Sequence, residues 1–223
     1  MNRKKVKKIL AWMLIGVMLF SMAGCGKKFD ATAYVKASLD LVTRHDVDQY
    51  VEVIGVDKEE AEEVYEESIT QLDDMAESMG DAGFPEELND AFTEFIKSVM
   101  QKTKYTVKEA REDGDDIIVD VEVEPIMVFE GSQELLEESI NEYVAEMQEN
   151  VNNGAEVPTE DEIMLEVYTR FIDILNENLE TAGYAEKTVI STKIIKNSDG
   201  EYEIDEDSFV ELGAALIDLN GID

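Results

Sequence analysis

Residues 104–125 read KYTVKEAREDGDDIIVDVEVEP, and they interrupt a chain whose other segments mostly follow a helical period. Between positions 119 and 123, valines alternate with acids, which is typical of a strand with one buried face. Asp113-Gly114 separates this run from Tyr105-Thr106-Val107, and an Asp-Gly pair between two such runs favours a tight turn. The stretch therefore predicts a β-hairpin.

A second stretch, residues 187–205, follows the same plan. It reads KTVISTKIIKNSDGEYEID, with Asp199-Gly200 at the turn and with Tyr202 and Ile204 supplying the returning alternation. The simplest arrangement pairs the two hairpins in one antiparallel sheet. A short closing helix is predicted after the second hairpin, from Ser208 to Leu219.

Elsewhere the apolar residues recur at spacings of three and four, which places them on one face of a helix and the acids on the other. The clearest case runs from Ile163 through Val167, Phe171 and Leu175 to Leu179. Helices are predicted over 30–43, 46–54, 58–79, 86–102, 132–152 and 159–182. The core faces of these helices hold six aromatic residues: Tyr65, Phe92, Phe95, Tyr143, Tyr168 and Phe171. Helices packed on a small antiparallel sheet make an α+β fold.

The predicted helix starts carry suitable capping residues. Asp30 and Asp46 stand at N-cap positions, and Pro85 comes directly before a helix start. Thr159 opens the sequence TEDE, which is similar to a capping box. These signals agree with the helix boundaries that the apolar spacing indicates.

Two helix–hairpin units follow each other along the chain. Residues 92–96, FTEFI, align with residues 168–172, YTRFI, and each segment leads into a hairpin with a central Asp-Gly. Either one element has been duplicated, or two amphipathic helices share these residues by coincidence. In both cases we expect residues 30–223 to form a single domain.

The N-terminal segment has the organisation of a secretory signal peptide. Residues 1–8 carry five basic residues and no acid, and residues 9–20 are wholly apolar. This apolar run is too short for a transmembrane helix, which needs about 20 apolar residues. A basic start, a short apolar run and small residues before position 25 are typical of a signal that is removed after export.

Met22-Ala23-Gly24-Cys25 resembles a bacterial lipobox. The resemblance implies cleavage between Gly24 and Cys25 and a lipid anchor on Cys25, which is the only cysteine in the chain. Residues 1–24 would then be the signal peptide and residues 25–29 a lipidated tether, with the protein at the outer face of the cell membrane. The alternative is an ordinary secreted protein with an incidental cysteine. If Cys25 is acylated, the mature chain has no free thiol and no disulfide.

The mature chain would be strongly acidic. The signal contains five of the 19 basic residues and none of the 53 acids, so the remainder has 14 basic residues and a formal net charge of −39. This excludes nucleic acid as a partner, because a phosphate backbone needs a basic surface. Two interpretations remain, namely a well-solvated surface or a sink for cations or cationic peptides.

From residue 25 onward the chain resembles small lipoproteins of Gram-positive bacteria that carry a cystatin-like or NTF2-like α+β domain of unknown function. The resemblance rests on a helix directly after the lipobox, two hairpins at the positions described, and an acidic capped helix at the end. Members often have a tryptophan in the last strand, where this chain has Tyr202. The resemblance implies an extracytoplasmic binding or adaptor domain and brings no catalytic residues.

Residues for catalysis are scarce. His45 is the only histidine, and it lies near the end of the first predicted helix, where a cationic side chain favours the helix dipole. The sequence contains no G-x-S-x-G, phosphate loop, H-E-x-x-H or G-x-G-x-x-G motif. We therefore predict no catalytic residue, no cofactor and no resident metal.

Acids cluster near both predicted hairpin turns, and Ca²⁺ prefers oxygen ligands. The clusters are Asp113, Asp115 and Asp116 in the first hairpin, and Asp199, Asp205, Glu206 and Asp207 in the second. Neither cluster fits the calcium-loop pattern D-x-[DN]-x-[DN]-G with its following glutamate. Weak calcium binding therefore stands beside the simpler interpretation of solvated acidic turns.

Two functions remain open. The first is a non-enzymatic binding or adaptor module for a protein, a peptide or a small ligand. The second is a hydrolase that acts on an envelope substrate through a pair of carboxylates. Acids inside a pocket, with shifted pKa values, would favour the hydrolase. Because no catalytic constellation is visible, the sequence favours the binding module.

Overall fold

The computed structural model describes residues 29–80, 84–198 and 200–221. Cys25 and the signal peptide lie outside these residues. A 3₁₀ turn spans Glu86–Leu88. The α-helices are α1 (Ala31–Arg44), α2 (Val47–Ile54), α3 (Lys58–Met79), α4 (Asn89–Gln101), α5 (Ser132–Asn152), α6 (Glu160–Thr181) and α7 (Glu206–Ala215).

The strands form one antiparallel sheet. They are β1 (Lys104–Val107), β2 (Arg111–Asp113), β3 (Asp116–Glu124), β4 (Thr188–Lys196) and β5 (Tyr202–Ile204). Strands β1 and β2 both pair with β3, and the order continues through β4 to β5. The two hairpins are joined because β3 pairs with β4 along its length. The predicted pairing of the hairpins and the α+β class are therefore confirmed.

The register of the sheet explains the alternating valines. Tyr105 lies opposite Val123 in β1 and β3, and Val121 lies opposite Ile190 in β3 and β4. Val119, Val121 and Val123 are fully buried, whereas the acids between them point to the other face. A single slip in register would turn the valines toward water, so their burial holds the pairing in place.

Helix α1 packs on this valine face and is the most deeply buried helix. Tyr34, Val35, Leu39 and Leu41 are fully buried, and α1 contacts β1 and β3 as well as α2, α3 and α4. Each large apolar side chain buried in this way contributes about 1.5–3 kcal/mol. The core is therefore centred on α1, with the sheet on one side and α2, α3 and α4 around it.

The predicted capping residues occupy their positions. The carboxylates of Asp30 and Asp46 each accept a hydrogen bond from the backbone N–H three residues further on, at 3.0 and 3.1 Å. Thr159 and Glu162 form the reciprocal bonds of a capping box at the start of α6. The helix starts that rest on these residues are confirmed to within one residue.

Two predicted helices differ from those observed. The segment 86–102 divides into the 3₁₀ turn and α4, since Pro85 and the following acids open a tighter turn before the helix begins. The closing helix begins two residues earlier than predicted, because the Asp205 carboxylate accepts from the backbone N–H of Ser208 at 3.1 Å. It ends at Ala215, since Ile217 leaves the helix to form a bridge with Ile126.

The two helix–hairpin units share one core and one sheet. Their origin by duplication stays a prediction, as does the single domain over residues 30–223. Within residues 29–80, 84–198 and 200–221, none of the helices combines the length and apolarity needed to span a bilayer. Asp199, at the predicted turn of the second hairpin, lies outside the described residues.

Replacing Val121 with alanine tests the buried face of the sheet. We expect V121A to lower the free energy of unfolding by about 2 kcal/mol, because it removes buried methyl groups and leaves a cavity. V189A is the matched control, since Val189 lies on the neighbouring strand with 59% of its surface exposed. The control should stay within about 0.5 kcal/mol of the unmodified protein in urea unfolding. Equal effects of the two substitutions would contradict the assigned register.

Candidate functional site

A cleft opens beside the C-terminal end of α1, between α3 and α4. Its total volume of about 400 Å³ includes space open to solvent, and the centre of a water-sized molecule can occupy only about 20 Å³ of it. Its apolar lining consists of Val42, Ile69, Leu72, Ile96 and Met100, and its polar lining of Thr43, Arg44, His45, Tyr65, Ser68, Lys97 and Gln101. The lining thus mixes apolar and polar side chains on a concave surface that can contact part of a ligand.

His45 reaches the cleft because of its backbone conformation. It ends α1 in the left-handed region, with a φ of 55°, and its backbone N–H donates to the Leu41 carbonyl at 2.9 Å. Its ring stacks on Tyr65 with 3.8 Å between centroids, and Nε2 lies 2.7 Å from a carboxylate oxygen of Glu62. The predicted position at the end of the helix is confirmed, and the ring forms one wall of the cleft.

Tyr65 and Lys97 also belong to the polar lining of the cleft. Burial raises the pKa of Tyr65, and the Lys97 ammonium opposes that rise. Lys97 donates to Glu94 at 2.8 Å, and this hydrogen bond raises the pKa of the lysine. The tyrosine is therefore a neutral hydrogen-bonding group and the lysine a cation at neutral pH.

A buried polar network fixes the arginine of the cleft. Asp40 is only 5% exposed and accepts from Arg44 Nη1 at 2.7 Å, from the Tyr105 hydroxyl at 2.5 Å, and from Lys36. The Tyr105 hydroxyl is also 2.8 Å from the hydroxyl oxygen of Thr43. The network links β1 to the last turns of α1 and holds Arg44 at the edge of the cleft.

The same network explains the character of Tyr105 and Asp40. Burial raises the pKa of Tyr105, and its hydrogen bond to Asp40 adds to the rise. The Arg44 guanidinium lies over the tyrosine ring, 4.4 Å from its centroid. Because three donors already use the oxygens of Asp40, this carboxylate acts as a structural anchor and offers little to a substrate.

Glu122 and Glu162, two carboxylates outside the cleft, have lowered pKa values, which is the wrong direction for acid catalysis. Hydrogen bonds from Lys187 and Lys108 lower the pKa of Glu122. The backbone N–H of Thr159 lowers the pKa of Glu162. A general acid at neutral pH needs its pKa raised, so these two groups are poor candidates for that role.

The acidic turns are partly neutralised by neighbours. A carboxylate oxygen of Asp116 lies 2.7 Å from the Lys193 ammonium, and Asp205 caps α7. In the part of the chain that the structure describes, no three acidic, histidine or cysteine side chains come together to hold a metal ion. Weak calcium binding at these turns stays a prediction.

Sequence reasoning identified His45 but missed the cleft around it. Tyr65 was expected in the core, yet it is only partly buried and stacks on His45 at the surface. Phe92 and Phe95 are buried as predicted. Tyr143 was also expected in the core, and this was wrong, because its helix packs outside the central cluster. Gly24 and Cys25, the predicted processing site, lie outside the described residues.

The fold of this chain is similar to that of a solved structure. No protein-family model matches the chain. No curated protein matches it either. A crystal structure of ycdA, a candidate lipoprotein from Bacillus subtilis, is similar with a TM-score of 0.57 at 17% sequence identity. The match covers 85% of this chain and 57% of ycdA, so this chain spans little more than half of that protein. At this identity the similarity shows the fold alone.

Removing the Asp40 carboxylate tests the network beside the cleft. We expect D40A to lower the free energy of unfolding by about 2 kcal/mol, since Tyr105 loses a buried partner while Lys36 and Arg44 can turn to water. D48A is the control of equal charge change, because Asp48 is 90% exposed and 3.4 Å from Lys58. Urea unfolding measures both variants, and a D40A protein as stable as D48A would show that the network contributes nothing.

Proposed function

We propose that this protein is a lipoprotein anchored at the outer face of the cell membrane, with a folded part that serves as a non-enzymatic binding module. The observation that carries the anchor is Cys25, the sole cysteine, at the end of a signal peptide in a sequence that resembles a lipobox. Two or more acyl chains on this residue would give a stable anchor.

The position of the fold along the chain supports the anchor. Phe29, the first described residue, stands four positions after Cys25. Four residues of extended chain span at most about 14 Å, so a lipid on Cys25 would keep the folded part next to the bilayer. The acidic surface would be repelled by anionic lipids, which leaves the acyl chains to provide the attachment.

The fold comparison is consistent with this proposal. The similar structure from Bacillus subtilis is itself described as a candidate lipoprotein. The resemblance of the sequence to Gram-positive lipoproteins leads to the same class. An extracytoplasmic location and a lipid anchor are therefore proposed together.

The lining of the cleft supports a binding module. Among the described residues, those that line it are apolar, neutral or basic, and none is a carboxylate. A hydrolase that uses two carboxylates would need them facing the substrate. A ligand with an apolar part and hydrogen-bonding groups would match the lining, in which Arg44, His45 and Lys97 already lie beside the carboxylates of Asp40, Glu62 and Glu94. We favour binding over hydrolysis for this reason.

The lipid anchor can be tested by replacing Cys25 with serine. We expect the unmodified protein to be found in the membrane fraction, labelled by a fatty-acid analogue, with its mature N-terminus at Cys25. C25S should lose the label, because serine has no thiol to receive the diacylglycerol group. M22L is the control, and it should keep full labelling. A labelled C25S protein, or an unmodified protein without lipid, would contradict the proposal.

A further inference from the structure

Phe29 fixes the place at which the chain enters the fold. Its ring stacks on Tyr202 of β5, with 4.1 Å between the centroids, and meets Tyr34 in the first turn of α1 at 5.5 Å. Tyr34 is fully buried, and Phe29 packs against the core cluster. The Lys196 ammonium lies 4.9 Å from the centroid of the Tyr202 ring. Phe29 is therefore docked between α1 and β5, and we call Phe29, Tyr202 and the β4–β5 turn the anchor end of the fold.

Helix α1 separates the anchor end from the cleft. Near its start, the Thr32 hydroxyl donates to the Lys108 carbonyl at 3.2 Å and accepts from the backbone N–H of Ala110 at 2.9 Å. At its last residue, the Arg44 guanidinium donates to the Thr103 carbonyl at 3.3 Å. Both ends of the helix are thus fastened to chain that adjoins β1. The helix has 14 residues, so about 20 Å lie between its ends.

The register of the sheet shows that α1 runs from one end of the strands to the other. Strand β5 pairs with the end of β4, where Ile194 lies opposite Ile204, and Ile117 near the start of β3 also lies opposite Ile194. The start of β1 lies at the other end of the sheet, where Lys104 is opposite Glu124. The anchor end therefore lies at one end of the strands, and the last turn of α1, with the cleft beside it, lies at the other.

The lipid proposed on Cys25 would hold the anchor end at the bilayer. Phe29 is four positions after Cys25, and four residues of chain span at most about 14 Å. Lys27 and Lys28 stand between them, and lysines next to a membrane are attracted by anionic headgroups. The anchor end thus has a short connection to the bilayer and two cations in that connection.

Charge opposes the approach of the cleft to the same bilayer. Helix α3 contributes Tyr65, Ile69 and Leu72 to the lining of the cleft, and it contains nine acids and one lysine. If the body tipped onto this side, α3 would come within about 8 Å of the lipid surface, where like charges still repel at physiological ionic strength. The hairpin turns at the anchor end are acidic too, so the acyl chains and the short tether have to hold that end in place.

We infer that the anchor end faces the bilayer and that the cleft faces away from it, so that the cleft takes its ligand from the aqueous side of the membrane. The ligand is then a water-soluble molecule with a small apolar part, and not a lipid of the same bilayer. This inference rests on the proposed lipid anchor and on the cleft as the binding site, and it names the source of the ligand.

Two matched substitutions measure the orientation in the lipidated protein, held in nanodiscs of anionic lipid. Because Cys25 carries the lipid, S98C and S198C each supply one free thiol for a donor fluorophore. Both serines are exposed, Ser198 in the β4–β5 turn and Ser98 on α4 beside the cleft. With an acceptor on the lipid headgroups, we expect energy transfer from position 198 to be more efficient than from position 98 by about twofold or more, since roughly 20 Å separate the ends of α1.

Variants of the tether separate a held orientation from free rotation. An insertion of about ten glycine and serine residues between Lys28 and Phe29 should bring the two transfer efficiencies together, because a flexible tether lets the body turn. F29A should reduce the difference in part, since the chain no longer docks on Tyr202, and F29W should restore it. Y143A is the control for loss of an aromatic ring, because Tyr143 lies on α5, and it should keep the full difference.

Equal transfer from positions 98 and 198 in the protein with its own tether would overturn the orientation. Stronger transfer from position 98 would turn the cleft toward the bilayer and favour a lipid as the ligand. Failure of the anchor is read separately, from the fatty-acid label on Cys25. A chain without that label overturns both proposals, whereas a labelled chain with equal transfer overturns only the orientation.

Discussion

The packing of α1 on the valine face of β3 is the interaction on which the rest of the structure depends. Val119, Val121 and Val123 point to one side of the sheet because residues alternate along a strand, and α1 covers them with fully buried side chains. This contact joins the first segment of the fold to its middle, and β4 then joins the second hairpin to the same sheet. An acidic chain that repels itself needs such a continuous apolar core to stay folded.

The cleft beside His45 and the hydrogen-bond network around Asp40 follow from this arrangement. Helix α1 ends in the left-handed conformation of His45, which turns the ring toward α3 and opens the cleft beside it. Asp40 and Tyr105 tie the same end of the helix to β1, so Arg44 is held by the core. Helix α5, by contrast, contributes no residue to the core cluster. Its contacts are chiefly with α6, and Ser132 is its one buried residue.

Local chemistry explains why much of the fold could be predicted from the sequence. Alternation around Val121, the turn at Asp113-Gly114 and the caps at Asp30 and Thr159 act over a few residues, and the observed elements agree with them. Long-range contacts could not be read in this way. Ile217 lies just after α7 and forms a bridge with Ile126, which is about ninety positions earlier in the chain. The stacking of His45 on Tyr65 depends on how α1 and α3 pack against each other. The apolar stripe of α5 has the same spacing as that of a core helix. Spacing shows which face of a helix is apolar, but it does not show what covers that face.

Native-state hydrogen exchange of the full-length protein tests most directly the claim that α1 and β3 form the core and that α5 stands outside it. The account predicts that amides of residues 119–123 and of α1 exchange only through openings of the highest free energy. Amides of α5 should exchange through local openings of much lower free energy. Protection of α5 equal to that of β3, or exchange of α1 as fast as that of α5, would contradict this account.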